Sequence, residues 1–451
     1  MKKALLLFCI ACCISALVLA QSAKYVILIS IDGSRPDFYK ENSWGTPNLH
    51  QLKSAGVYAD GARTVFPSVT YPSHTTIITG AMPATHGVYY NERFDPNGPG
   101  RWYWEESLIK CPTLWDAVHK AGLTSAAVRW PVTVGAPIDH NFPEIWPMEK
   151  NGDRMAPVRD NTTPAGFFEE IEKNATGKLS SDDFNDDYLT VDENTGRIAA
   201  YVIRTYKPNL TAVHLVCVDH YEHAEGRDGP MVKRAVSSAD RAVGKILEAV
   251  QKAGIKDSTA IIITGDHGFV DIHTTICPNV WLAKDGLLSK KDNKTEWRAI
   301  FHTSGASAFL HLKNKNDKKT LKEVRKVLAN LPASKRKLFR IVTPEELQER
   351  GADPDAVLAL SPMQGINMSS DVEGDDIRAA HGGTHGYYPD FKEIQTGFIG
   401  SGAGFNKGQI LPVIGLEDIA PIITQLLHLD FIAPDGILYP GILKGPAKAG
   451  Y

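Results

Sequence analysis

The chain has 451 residues, of which 43% are hydrophobic and 22% charged, with a formal net charge of −3 at pH 7. That length suffices for a large α/β core, and the near-neutral balance excludes a protein built to bind an extended nucleic acid. Six cysteines, three of them (Cys9, Cys12, Cys13) within the first twenty residues, exclude a disulfide scaffold.

Met1-Lys2-Lys3 and the apolar run Ala4 to Ala20 have the layout of an export signal. Val18 and Ala20 supply the small residues for cleavage before Gln21, which predicts a signal peptide over 1–20 and a mature domain over 21–451. The lysine pair points to bacterial export, hence to a periplasmic or secreted protein. No later run is apolar enough to span a bilayer. Sequons at Asn161, Asn174, Asn209, Asn293 and Asn367 would carry glycans in a eukaryote. Cys111, Cys217 and Cys277 remain after cleavage, enough for one disulfide at most; Cys217 reads as buried inside a strand.

Tyr25 to Ile31 is an apolar run that stops at Asp32. Thr46 to Leu52 opens an amphipathic helix. Further on, Pro72 suits the first turn of a helix and Gly80 its C-terminal cap. Thr113 to Gly122 predicts a helix, Thr124 to Val128 a strand, and Thr190 to Tyr206 a helix leading into a second apolar run, Ala212 to Val218, which stops at Asp219. A long helix over Gly229 to Ala253 returns the chain to a third run, Ala260 to Gly265, ending at Asp266. From about 294 to 371 the character changes. A lysine-rich helix (318–329), the cluster Lys335-Arg336-Lys337 and short strands such as Ser307 to Leu312 predict a small α+β insertion with a solvated basic face. The main sheet resumes at Gly397 to Gly400, followed by a helix over 416–427. The succession predicts an α/β fold: a doubly wound, mostly parallel central sheet with helices on both faces.

In such sheets ligands bind beyond the carboxyl ends of the strands, so Asp32, Asp219 and Asp266 are expected to share one crevice. His223 stands four residues after Asp219, on the same face of a helical turn. His267 follows Asp266 directly, and His385 lies in the loop Gly382-Gly383-Thr384-His385-Gly386. Carboxylates and imidazoles together suit zinc. Two metal ions ~4 Å apart can clamp the attacking and leaving oxygens of a phosphoryl transfer, and coordination makes a hydroxyl nucleophilic at neutral pH. Thr70, at the start of the Pro72 helix, is a candidate for that hydroxyl; Ser68, Ser73 and Thr75 compete with it on composition alone. Singly, a strand-end Asp is as readily a helix cap. His119, His140, His302, His311 and His428 read as core or surface residues, while His74, His86, His273 and His381 fall near the expected site.

Taken in order, Asp32-Gly33, Phe66-Pro67-Ser68-Val69-Thr70-Tyr71-Pro72-Ser73-His74, Thr85-His86-Gly87, Asp219 with His223, Asp266-His267-Gly268 and His385-Gly386 resemble the alkaline phosphatase superfamily. Within it the pattern is similar to nucleotide pyrophosphatase/phosphodiesterases, over nearly the whole mature chain. The resemblance implies an alkaline phosphatase-like fold with two zinc ions, one held by Asp219, His223 and His385 and the other by Asp32, Asp266 and His267. Thr70 would bridge metal and substrate, and Asn91 would contact a non-bridging phosphate oxygen. Tyr71 would stack a nucleobase. The implied activity is hydrolysis of phosphodiester or phosphoanhydride bonds in small nucleotide-type substrates through a threonyl-phosphoester. One departure is plain: Glu222 stands where the family has glycine before the histidine.

A phosphomonoesterase using the same threonine is the nearest alternative, because related monoesterases add Lys or Arg for the extra charge and Arg129 precedes Trp130-Pro131 where the diesterase pattern is neutral. A sulfatase is disfavoured, since Thr70 cannot supply the aldehyde and His74 replaces an arginine. A metal-stabilised binding protein would need a degenerate site, and no expected ligand is missing.

Overall fold

The seven residues Tyr25–Ile31 (β1) are buried on both faces, as a strand at the centre of a covered sheet must be. The computed structural model describes residues 23–149, 152–185, 189–291 and 294–445; the expected signal peptide and the Asn293 sequon lie outside them. Seven further strands complete the main sheet: Val57–Arg63 (β2), Ser125–Val128 (β3), His140–Phe142 (β4), Leu210–Leu215 (β5), Thr259–Thr264 (β6), Phe398–Gly402 (β7) and Ile410–Gly415 (β8). Their order is β8-β2-β7-β6-β1-β5-β3-β4. All run parallel except β7, which is antiparallel to both β2 and β6. The long connection through the inserted segment lets β7 enter from the opposite edge, which a parallel crossover could not do.

Alternation along β1 feeds two cores. Ile27, Ile29 and Ile31 face the helices Thr190–Thr205 and Pro230–Lys252, among Ile198, Val202, Val243 and Ile246. Val26 and Leu28 face the other layer, among Ile77 and Ile78 of the Thr70–Thr79 helix and Ile419 and Ile423 of the Ile419–Leu427 helix. Each fully buried Ile, Leu or Val contributes about 1.5–3 kcal/mol, so both faces hold the sheet rigidly under its carboxyl edge.

One expected strand is shorter than its hydrophobic run. β5 ends at Leu215, and Cys217–Glu225 is helical, so Cys217 opens a helix rather than lying in a strand. The cause is remote: the buried Asp192 carboxylate accepts hydrogen bonds from the Val216 and Cys217 N–H groups at 2.8 and 3.4 Å, capping the new helix. Asp219 therefore sits in a first helical turn.

The segment read as an insertion carries a four-stranded antiparallel sheet, in the order Ala299–Ser304, Ser307–Leu312, Leu358–Pro362, Phe339–Val342, with the helix Lys318–Asn330 packed on it through Val324 and Leu328. Its core also recruits Trp281, Leu282 and Leu287 from ahead of residue 294. Phe309 packs against Phe66 and Tyr90 at 4.9 and 5.1 Å, so this sheet backs the loops on either side of Thr70. Cys111, Cys217 and Cys277 are free thiols. Among the described residues no helix is long and apolar enough to cross a membrane.

Candidate active site

β6, β1 and β5 are adjacent, so their carboxyl ends bring Asp266, Asp32 and the Asp219 helix to one place. The His267 Nε2 atom lies 3.1 Å from Asp266 Oδ2, 3.3 Å from Asp32 Oδ1 and 4.0 Å from Asp219 Oδ1. His223 Nε2 and His385 Nε2 are each 3.5 Å from Asp219 Oδ1. Two sets of donors close enough to hold a metal ion follow: Asp32, Asp266 and His267, and Asp219, His267 and His385. His267 thus faces both carboxylate groups, while the more exposed His223 stands at the rim on the Asp219 side.

The backbone sets the direction of each imidazole. Nδ1 of His223, His385 and His267 lies 3.0, 2.9 and 3.3 Å from the carbonyls of Gly383, Ser68 and Gly268. A carbonyl only accepts, so Nδ1 carries the proton in each and Nε2 turns its lone pair inward, as metal-binding histidines do. Burial, and then the neighbouring His385 and His223, hold His267 well below the usual histidine range; burial brings His385 down to about 4. Both rings are neutral at pH 7. Burial, and then Asp266 and Asp219, push Asp32 well above the ordinary carboxylate range. Asp32 Oδ1, Asp219 Oδ1 and Asp266 Oδ2 are buried and accept no hydrogen bond. Unprotonated nitrogens facing undonated carboxylate oxygens in a dry site are costly unless protons or metal cations lie between them. The donor set fits divalent metal binding.

Four hydroxyls competed for the nucleophile, and their surroundings separate them. Ser68 Oγ donates to the Tyr387 carbonyl, Ser73 Oγ pairs with Thr64, and Thr75 Oγ1 donates to the Tyr71 carbonyl. Thr70 opens the helix Thr70–Thr79, and its Oγ1 lies 3.5 Å from His267 Nε2. Of the four, this hydroxyl is the one turned to the carboxylate and imidazole cluster. Ser68 instead builds the loop that carries His385, accepting from the Gly386 N–H at 3.0 Å. Gly386 (φ +88°) and Gly305 (φ +55°) cross so closely that a Cβ on Gly305 would stand 2.4 Å from the His385 carbonyl.

Asn91 is anchored by its carbonyl oxygen, which accepts from the Tyr71 N–H at 2.9 Å. That bond ties Asn91 to the residue that follows Thr70. Tyr71 itself requires a correction: its ring is fully buried among Val88, Tyr103, Trp104 and Val132, so it presents no face to a base. Trp102 lies edge-on over it at 5.0 Å. Trp102 and Trp146, 4.7 Å apart and half-buried, instead form an aromatic corner of a cleft of about 460 Å³ that also meets Arg129, Glu144, Arg154 and Phe184. Trp102 borders a second cleft too, of about 500 Å³, which runs from Asn91 and Glu92 to His302 on the inserted sheet. The Trp102-Tyr103-Trp104 run is visible in the sequence, but nothing local ties it to Thr70.

Arg129 (φ +58°) is engaged, with Nη2 3.8 Å from Glu144 Oε2 and its guanidinium 5.2 Å over the Phe184 ring. Glu222 is completely buried behind the Asp219 turn, 3.6 Å from Arg35 Nε, and burial pushes its carboxyl well above the usual range. Of the other histidines near in sequence, His74 is buried and donates to the Thr70 carbonyl at 2.8 Å. His86 pairs with Thr76 Oγ1 inside the fold, and His273 and His381 are exposed.

The family model for type I phosphodiesterase/nucleotide pyrophosphatase matches residues 26–387. Human ectonucleotide pyrophosphatase/phosphodiesterase family member 5 is 23% identical over 91% of this chain and 76% of its own length. The Crotalus durissus collilineatus venom phosphodiesterase CdcPDE is 23% identical over 91% of this chain and 45% of its own. A Schizosaccharomyces pombe pyrophosphatase/phosphodiesterase is 30% identical over 60% of this chain and 50% of its own. The chain thus spans about half the length of two of these relatives. The solved structure of the human member 5 protein superposes with a TM-score of 0.66 at 20% identity, covering 92% of this chain and 97% of that one. An inactive variant of the murine protein, solved in complex with AMP, has a TM-score of 0.65 and covers 91% of this chain and 96% of that one. These structures share the fold.

Proposed function

The chain belongs to the type I phosphodiesterase/nucleotide pyrophosphatase family, and on that premise we propose that it hydrolyses phosphodiester or phosphoanhydride bonds of small nucleotide-type substrates, with Thr70 as nucleophile and two zinc ions as cofactors. The observation that carries this reading is the turn of Thr70 Oγ1, among four candidate hydroxyls, toward the two donor sets. Asp219, His223 and His385 are the residues for one metal, and Asp32, Asp266 and His267 for the other. When bound, the metals supply charge neutralisation and a lowered hydroxyl pKa.

The remaining work falls to the protein. Thr70 attacks phosphorus in line, forming a threonyl-phosphoester as the first alcohol or phosphate leaves; water cleaves that ester in the second step. Asn91 Nδ2 donates to a non-bridging oxygen as charge spreads over the equatorial positions. A diester carries two substituents, and two clefts meet beside Trp102: the tryptophan cleft suits a base, and the cleft against the inserted sheet takes the other arm. The engagement of Arg129 by Glu144 and Phe184 weighs against its serving the additional charge of a monoester.

The test compares kcat/KM for a nucleotide aryl diester with that for the matching aryl monoester, using zinc-loaded enzyme, in the parent and in Thr70→Ala. The diester is expected to be preferred, and Thr70→Ala to lose on the order of 10⁴-fold or more. A strong monoester preference would reassign the reaction. Undiminished activity in Thr70→Ala would remove the nucleophile.

A further inference from the structure

Behind Asp32, on the side away from the metal donors, runs a buried line of side chains that the mechanism above does not use. His214, on β5 beside Ser30 of β1, is 1% exposed. Its Nε2 lies 3.1 Å from Asp32 Oδ2 and its Nδ1 2.9 Å from Glu144 Oε2. Glu144 is in turn 3.8 Å from Arg129 Nη2 and lines the tryptophan cleft. The His214 ring packs edge-on against His74 at 4.3 Å. His74 donates to the Thr70 carbonyl and takes a hydrogen bond from Ser30 Oγ at 2.9 Å.

The two oxygens of Asp32 are therefore in different states. Oδ2 is held by His214, whereas Oδ1 accepts nothing and faces His267 at 3.3 Å. An aspartate side chain free to rotate about its terminal bond would present either oxygen, or both, to a cation. Tying Oδ2 removes that freedom and leaves one oxygen aimed at the donor set. The imidazole cannot do this unless its own plane is fixed, and the contacts of its far nitrogen fix it, the shorter to Glu144 and a longer one to the Arg129 carbonyl at 3.3 Å.

We propose that His214 and Glu144 are positioning residues for Asp32, acting in series to present its Oδ1 as a single-oxygen ligand to the metal shared with Asp266 and His267. The proposal rests on the two-metal reading of the site. It also gives the tryptophan cleft a physical connection to that metal, because Glu144 belongs to the wall of one and to the support of the other. The parallel element on the nucleophile side is His74, which steadies the first turn of the Thr70 helix.

Two variants of the full chain test it. His214→Phe keeps an aromatic ring and removes both nitrogens; Glu144→Gln keeps the shape of its side chain, removes the charge and leaves one oxygen to accept from the imidazole. Each is stripped of metal and titrated with zinc against a chromophoric chelator, giving stoichiometry and a Kd for each site, with melting of the stripped protein measured separately. His214→Phe is expected to weaken one zinc by ~10–100-fold and leave the other within a few-fold of the parent. Glu144→Gln should weaken the same zinc by a smaller factor. Parent-like affinity at both sites in the two variants would overturn the proposal, even if the melting temperature fell. Equal weakening of both sites would also overturn it, since that is the signature of general structural damage. A parent protein that binds no zinc would overturn the two-metal reading and this proposal with it.

Discussion

Asn91→Asp and Asn91→Ala separate an observed contact of one side chain from the job proposed for it. The carbonyl oxygen accepts from the Tyr71 N–H at 2.9 Å, and the proposed task of the amide nitrogen is to donate to phosphate. Aspartate preserves the acceptor and replaces the donor with a second anionic oxygen; alanine deletes both. Losing one donor to a developing anion costs about 10²–10³ in kcat. The aspartate adds repulsion, since two unit charges at ~4 Å and an effective dielectric near 20 interact by about 4 kcal/mol, part of which bound metals would offset. Asn91→Asp should therefore lose at least ~10³-fold in kcat/KM on a nucleotide aryl diester, and Asn91→Ala somewhat less. Stability should run in the opposite order. In the alanine variant the Tyr71 N–H loses its partner in a part-buried place, a cost of about 1–3 kcal/mol, whereas in the aspartate variant that bond becomes charge-assisted. Steady-state kinetics with zinc content measured alongside, and urea melts of both variants, make the comparison. An aspartate variant retaining more than a tenth of parental activity with both zincs bound would refute the donor role. An alanine variant as stable as the aspartate one would refute the anchor.

Gly33→Ala should destabilise the fold by about 1–3 kcal/mol in a denaturant melt, because Gly33 has φ +71° and a Cβ there would lie 2.6 Å from Glu222 Oε2 and 3.3 Å from Asp219 Cα. Zinc content should fall with it, and a parent-like melt with both metals bound would contradict the close packing. The chelated protein should have an unusual pH profile. Burial raises Asp266 from an ordinary 3.8 to about 7, so the folded state holds a proton that the unfolded state has already released. Its contribution to stability is complete below about pH 4 and is lost as pH rises through about 7. Melting temperature should fall across that window without metal, and fall less or rise with zinc, whose binding strengthens as ligands lose protons. Parallel profiles with and without zinc would refute the assignment.

Much of the fold was open to inspection in one dimension because its cause is local. Apolar runs that alternate with amphipathic helices specify a covered, mostly parallel sheet, and the run-ending aspartates Asp32 and Asp266 lie beyond β1 and β6 as that pattern requires. The spacing of Asp219 and His223 matched a helical turn for the same reason. The direction of β7 was not legible, since a strand of five residues carries no signal for which edge it enters from. Nor was the early end of β5, which depends on the Asp192 carboxylate reaching a backbone more than twenty residues away.

At the site, the sequence by itself determined the chemical inventory: which residues could ligate, and which hydroxyls could attack. Tertiary structure alone decided how they point. Thr70 stands out from Ser68, Ser73 and Thr75 only once the partners of all four are seen, and Tyr71 proves to be core because Trp104 and Val132 enclose it. The link from Glu144 through His214 to Asp32 joins residues separated by 70 and 182 positions. Hydrophobic periodicity records which face of an element is buried, but a hydrogen bond of about 3 Å depends on where two distant backbones meet and on the rotamers their packing allows. That information exists only in the folded chain.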